Sequence, residues 1–169
     1  MQTRRLNGLA SPAVGPTESA FRELIRTLGL LERVQQAYFA RFGLSGSQWG
    51  VLRNLERAEA ESPAGLRLTD LSERLLVRLP SVTGIVDRLE RAGLVVREGS
   101  LTDQRAKQVA LTDKGRQLVG RVLAVHAAQI DSVLGGLSAA EVKDFQRLLT
   151  RFRRHLEGLL ARGGTANIA

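Results

Sequence analysis

Ser81, Thr83 and Arg88 follow Pro80 in a single short stretch of the chain. Short hydroxyl side chains near the start of a helix suit hydrogen bonding to base edges, because that end of a recognition helix reaches into the major groove. Arg88, one turn further along, suits a base or a phosphate. Asp103, Gln104 and Arg105 stand in a later polar stretch. A guanidinium fits the narrow, electronegative minor groove, and a carboxylate two residues earlier can hold it in one pose. Ser47 and Thr69, at the starts of two further helices, would offer backbone N–H groups to phosphates, with Arg53 and Arg74 adding charge. Each has a plainer reading as a cap or a surface residue, and a solvated Asp-x-Arg pair contributes little.

Apart from the upstream helix that carries Ser47 and Arg53, the elements that must position these residues lie within residues 66–112, LRLTDLSERLLVRLPSVTGIVDRLERAGLVVREGSLTDQRAKQVALT. Thr69 is expected to cap a short helix with Leu71, Leu75 and Leu76 on one face. Pro80 suits the first turn of a second helix, where its missing N–H costs nothing. That helix turns Val82, Ile85, Val86 and Leu89 inward, leaves Ser81, Thr83, Gly84, Asp87, Arg88 and Arg91 outward, and stops at Gly93, a good left-handed cap. Residues 94–98 and 108–111 are strand-like, and 99–107 connect them. The expected fold is mainly α with a small β-hairpin wing, a winged helix-turn-helix.

Three pieces of this region resemble the MarR family of bacterial transcription regulators: PSVTGIVDRLERAGLV, DQRAKQVALT and, upstream, LSGSQWGVLRNL. Their order and spacing fit the family's recognition helix, its D-x-R wing ending in Leu-Thr, and its preceding helix. The resemblance implies a homodimer that binds double-stranded DNA at an inverted repeat, as a transcriptional regulator and repressor. It also implies a cleft for a small, often phenolic, effector, near which Tyr38, Phe42 and Trp49 would lie; as residues alone, these are aromatics at core spacing. At Gly84 many family members carry arginine or another long polar residue. Glycine there removes a base-reading side chain and lets the backbone approach closely. Gln104 stands where relatives often have a second basic residue.

Composition narrows the classes. The 169 residues hold 25 Lys and Arg against 17 Asp and Glu, a net charge of +8, and no cysteine. Disulfides, thiolate metal sites and a cysteine redox switch are therefore excluded. The positive charge suits a polyanion without proving one, since its excess is spread as +2, +2 and +4 over residues 1–65, 66–112 and 113–169. His126 and His155 are isolated, so no metal or other cofactor is expected. Neither a P-loop, a G-x-S-x-G elbow, an H-E-x-x-H helix nor a dinucleotide fingerprint occurs, so no enzyme is expected. No apolar run approaches a membrane span and the first residues lack a signal core, so the expected location is the cytoplasm.

Along the chain, residues 1–17 read as a flexible arm and 18–43 as an N-terminal dimerisation helix striped by Phe21, Leu24, Leu28, Leu31, Val34, Tyr38 and Phe42. Residues 44–112 form the DNA-binding domain, with a Ser45–Gln48 capping box starting the helix that buries Trp49, Leu52 and Leu55. Residues 113–161 form two C-terminal dimerisation helices, the second starting at a Ser138–Glu141 box, and 162–169 a tail. In that last helix Val142, Phe145, Leu149, Phe152, Leu156 and Leu159 alternate steps of three and four, a heptad seam. Two apolar stripes at opposite ends of the chain point to an intertwined homodimer; the alternative is a monomer folding both over its own core. The functional alternative is a winged-helix protein-interaction module, which a degraded wing would signal. Asp103 and Arg105 are both present.

Overall fold

A computed structural model describes residues 15–59, 61, 64–99 and 107–163. The elements are α1 (Pro16–Ala40), α2 (Gly46–Ala58), β1 (Leu66–Arg67), α3 (Leu68–Leu75), α4 (Leu79–Arg91), β2 (Val95–Gly99), β3 (Lys107–Leu111), α5 (Asp113–Leu134) and α6 (Ala139–Ala161). The strands form one antiparallel sheet in the order β1-β3-β2. The chain divides into two compact units, the first reaching Val119 and the second starting at Gly120.

Local chemistry sets the helix starts in the first unit. Ser45 Oγ accepts from Gln48 N at 3.2 Å while Ser45 N donates to Gln48 Oε1 at 2.8 Å, the capping box the sequence predicts for α2. Pro80 lies in the first turn of α4, and Gly93 takes a left-handed φ of 69° just after its end. The start of α3 departs from expectation. Leu66 and Arg67 pair with Val109 and Gln108 of β3, a strand too short to show in periodicity. The chain passes straight from that pairing into the helix, whose first turn is closed by Arg67 N donating to Asp70 Oδ2 at 3.0 Å. Thr69 is thus the second residue of α3 and not its cap. Gly65, at φ 96°, makes the approach possible, since a Cβ there would lie 2.1 Å from Val109 O.

Packing follows the two periods. Val51, Leu52 and Leu55 of α2, Leu71 of α3, and Val82, Ile85, Val86 and Leu89 of α4 are buried, with Val95, Val109 and Leu111 closing the core from the sheet. Leu76 does not join Leu71 inside. It adopts the left-handed conformation (φ 53°, ψ 37°) that ends α3 and is 86% exposed, because the turn to α4 needs that backbone there. The sheet is tied to the following helix through Thr112, whose Oγ1 donates to Gly93 O at 2.7 Å and accepts from Gly115 N at 3.1 Å. At the end of α1, Tyr38 and Phe39 are buried. Phe42 falls in the turn beyond the helix, and most of the stripe ahead of Tyr38, including Phe21 and Leu28, is exposed.

The second unit holds the remainder of α5 and all of α6. A second capping box starts α6: Ser138 N donates to Glu141 Oε2 at 2.8 Å, and Glu141 N donates to Ser138 Oγ at 3.4 Å. The seam residues Phe145, Leu149, Phe152, Leu156 and Leu159 are all exposed in the single chain.

Candidate nucleic-acid interface

The face of α4 away from the core carries the sequence-predicted readers. Its buried arc runs through Val82, Ile85, Val86 and Leu89. At about 100° per residue, Gly84, Asp87 and Arg91 lie near the opposite crest, with Ser81 and Arg88 on one flank and Thr83 on the other. Ser81 and Arg88 are exposed, and Thr83 and Gly84 are half-buried. The two hydroxyls are not equivalent. Thr83 Oγ1 donates to Leu79 O at 3.0 Å, within its own helix. Ser81 makes no side-chain hydrogen bond among the described residues, so its donor and its acceptor lone pairs both remain available. A Cβ on Gly84 would meet nothing nearer than the Arg88 guanidinium, at 3.9 Å.

Behind α4 stand β2 and β3, paired from Val95↔Leu111 to Gly99↔Lys107. They form the stem of the wing. Asp103, Gln104 and Arg105, expected at its tip, lie outside the described residues. The stem brings in a residue that sequence reading passed over. Arg97 of β2 donates through Nη2 to Asp87 Oδ1 at 2.6 Å and through Nη1 to Glu90 Oε2 at 2.5 Å, joining strand to helix. Burial works against its charge, but the Asp87 hydrogen bond and the Glu90 charge outweigh it and raise its pKa above the ordinary arginine value. No local pattern could have found the pairing, since the partners lie 10 and 7 residues away in another element.

The expected phosphate anchors are dispersed. Ser47 is exposed in the first turn of α2, its Oγ 3.0 Å from Ser45 Oγ, beside a polar hollow shared with Glu32, Gln35 and Gln36. Arg53, further along α2, is paired with Glu56. Thr69 is exposed in the first turn of α3 and Arg74 in its last, so those two mark opposite ends of one short helix.

The aromatic residues form a packed group. Phe39 stacks on Trp49 with centroids 5.5 Å apart, and Tyr38 meets Phe39 and Phe42 edge-on at 4.9 and 5.6 Å. Burial pushes the Tyr38 phenol above its ordinary pKa, against the opposing charge of Arg41. Phe39, outside the predicted stripe, is as buried as Tyr38 because the last turn of α1 packs against α2 over a wider arc. No group of three or more His, Cys, Asp or Glu among the described residues could hold a metal, and no single helix there is long and apolar enough to cross a membrane.

Comparison with known proteins agrees with this architecture. The family model described as MarR family matches residues 42–106, which run from the turn after α1 to the wing. The homoprotocatechuate degradative operon repressor of Escherichia coli is 33% identical over 132 residues, covering 75% of this chain and 86% of its own length. Among solved structures, AbsC, a MarR family transcriptional regulator from Streptomyces coelicolor, superposes with a TM-score of 0.76 at 24% identity, covering 88% of this chain and 99% of that one. Staphylococcus aureus MepR, solved as a DNA complex, superposes at 0.70 with 22% identity over 80% of this chain and 97% of its own. Those two likenesses speak to the fold, and the Escherichia coli repressor extends the kinship to sequence along most of both chains. The helix-turn-helix backed by a small antiparallel sheet is therefore that of a MarR-family transcriptional regulator, and the chain belongs to that family.

Proposed function

We propose that this protein is a transcriptional repressor that binds an inverted-repeat DNA site as a homodimer and is released by a small aromatic molecule. The observation that carries the reading is the exposed face of α4, where Ser81, Gly84 and Arg88 stand clear of the core with the β2–β3 stem behind them. Residues 44–112 are the DNA-binding part, and 18–43 with 113–161 the dimerising part. Exposed Phe21 and Leu28 of α1, and Phe145, Leu149, Phe152 and Leu156 of α6, support that division, because an exposed apolar stripe along a helix marks an interface. Asp103, Gln104 and Arg105 are assigned to the minor groove, and Ser47, Arg53, Thr69 and Arg74 to phosphates. The effector is assigned to the neighbourhood of Tyr38, Phe42 and Trp49, in keeping with a relative named as the homoprotocatechuate degradative operon repressor.

The test starts from duplexes selected out of random sequence by the wild-type protein. The selected site should be an inverted repeat with half-sites about 10 bp apart. Arg105→Ala should weaken matched and scrambled duplexes alike and lower the salt dependence by about one phosphate equivalent per wing. Ser81→Ala should instead change which bases matter, at about 1–3 kcal/mol for a good contact. The effect should exceed that of Thr83→Ala, whose hydroxyl is already engaged. Wild type that failed to separate matched from scrambled duplex would remove the reading. For the effector, Trp49 is the single tryptophan, and an aromatic acid that lowers DNA affinity should also change its emission.

A further inference from the structure

Arg97 lies on β2 opposite Val109 of β3, and its side chain is only 17% exposed. Its two terminal nitrogens are divided between Asp87 and Glu90, three residues apart on α4 and so neighbours on one side of the helix. A planar guanidinium held by two carboxylates fixes both the distance and the angle between strand and helix. A lysine, with one point charge on a flexible stem, could meet only one acceptor well. The arrangement also has an electrostatic side. Asp87 and Glu90 remain 48% and 39% exposed, and without a partner both would repel a phosphate backbone approaching α4.

We propose that Arg97 is a positioning residue for DNA binding, locking the wing stem to α4 through Asp87 and Glu90 so that wing and recognition helix meet the duplex as one body. The inference rests on the DNA-binding reading above and goes beyond it, because Arg97 need touch no DNA. It assigns to the wing stem a share of affinity that would otherwise be credited to the tip alone.

Arg97→Met, Arg97→Lys and an uncharged triple variant (Arg97→Met, Asp87→Asn, Glu90→Gln) are titrated against the duplex selected by wild type, at two salt concentrations, alongside thermal melts. Arg97→Met should bind at least about tenfold more weakly, and Arg97→Lys should recover part of the loss. The triple variant strands no carboxylate and should melt close to wild type. It also removes two negative charges against one positive, which by itself favours DNA. Binding still about tenfold weaker than wild type, with salt dependence lower by about one phosphate equivalent per wing, would therefore mark lost geometry. A triple variant that bound within about twofold of wild type would overturn the proposal. So would a weaker one with undiminished salt dependence, which would mean general damage and not a displaced wing. Wild type that selected no duplex would overturn the DNA-binding reading and this inference with it, whereas a triple variant matching a sequence-selective wild type overturns this inference alone.

Discussion

Gly84 sits at the crest of the exposed side of α4, six positions inside a helix where glycine is about 1 kcal/mol worse than alanine. Nothing among the described residues needs it. A Cβ there would meet only the far end of Arg88, at 3.9 Å, and the residue is not among those with positive φ. The space leaves room for something outside the chain, and a duplex edge pressed against the helix backbone fits the proposed function. Gly84→Ala should consequently raise the melting temperature by about 2–4 °C, the equivalent of about 1 kcal/mol in a domain of this size, while weakening binding to the selected duplex. Calorimetry paired with a binding titration checks both halves. A variant that gained stability and bound as well as wild type would show that α4 does not approach DNA at this position. Ser81 and Thr83 differ by the same kind of reasoning. Equal as residue types in the sequence, they are separated by a hydrogen bond to Leu79 O that only one of them makes.

Among the elements, α6 depends most visibly on its end. The Glu141 carboxyl is held below the usual carboxylate range, first by the Ser138 hydroxyl and then by the Ser138 backbone N–H. A depressed carboxylate stabilises the folded state above its unfolded pKa, and that contribution disappears as pH falls through the folded value. Ser138→Ala should cost about 1 kcal/mol near neutrality, the usual worth of such a cap. The gap between wild type and variant should narrow in acid, as pH falls through the depressed Glu141 value and the carboxyl is protonated in both. Thermal melts followed by circular dichroism near neutrality and in acid give the comparison, and a gap that stayed constant would mean that the carboxylate takes no part in the cap. The start of α3 shows the opposite case. There a side chain outside the expected capping position, Asp70, closes the turn, because pairing between β1 and β3 decides where the helix can begin.

At the scale of the whole molecule, two helices carry apolar surface that the single chain does not cover. Phe21, Ile25 and Leu28 on α1 and Phe145, Leu149, Phe152 and Leu156 on α6 are each 39% exposed or more. Burying a side chain of this size contributes about 1.5–3 kcal/mol, so a second copy offering the same stripes would gain substantially from association. Removal of residues 143–169 should therefore yield a monomer or an unstable chain in light scattering and thermal melts. A well-folded dimer after that deletion would move the interface elsewhere. The proposed binding to an inverted repeat would depend on the same association, because only a two-fold pair presents two α4 helices to successive major grooves.

Much of this was legible in the residues because its causes are local. Period and punctuation mark out α2, α4, α5 and α6, both serine capping boxes, the Pro80 start and the Gly93 stop, since each depends on neighbours within a turn or two of the chain. The outward face of α4, with Ser81, Thr83, Gly84 and Arg88, follows from the same period. The tertiary structure decided what depends on distant partners. The two-residue β1 exists only because β3 is there to pair with it, and it moved the start of α3 ahead of Thr69. Leu76, apolar and expected on one face with Leu71 and Leu75, was turned out to solvent by a turn whose left-handed backbone serves the junction of two helices. Phe39 was drawn into the core by α2, and Arg97 found its two carboxylates on another element. A helix period records which face is apolar. It holds no record of what that face will meet, and contacts between elements are settled only when the chain is folded.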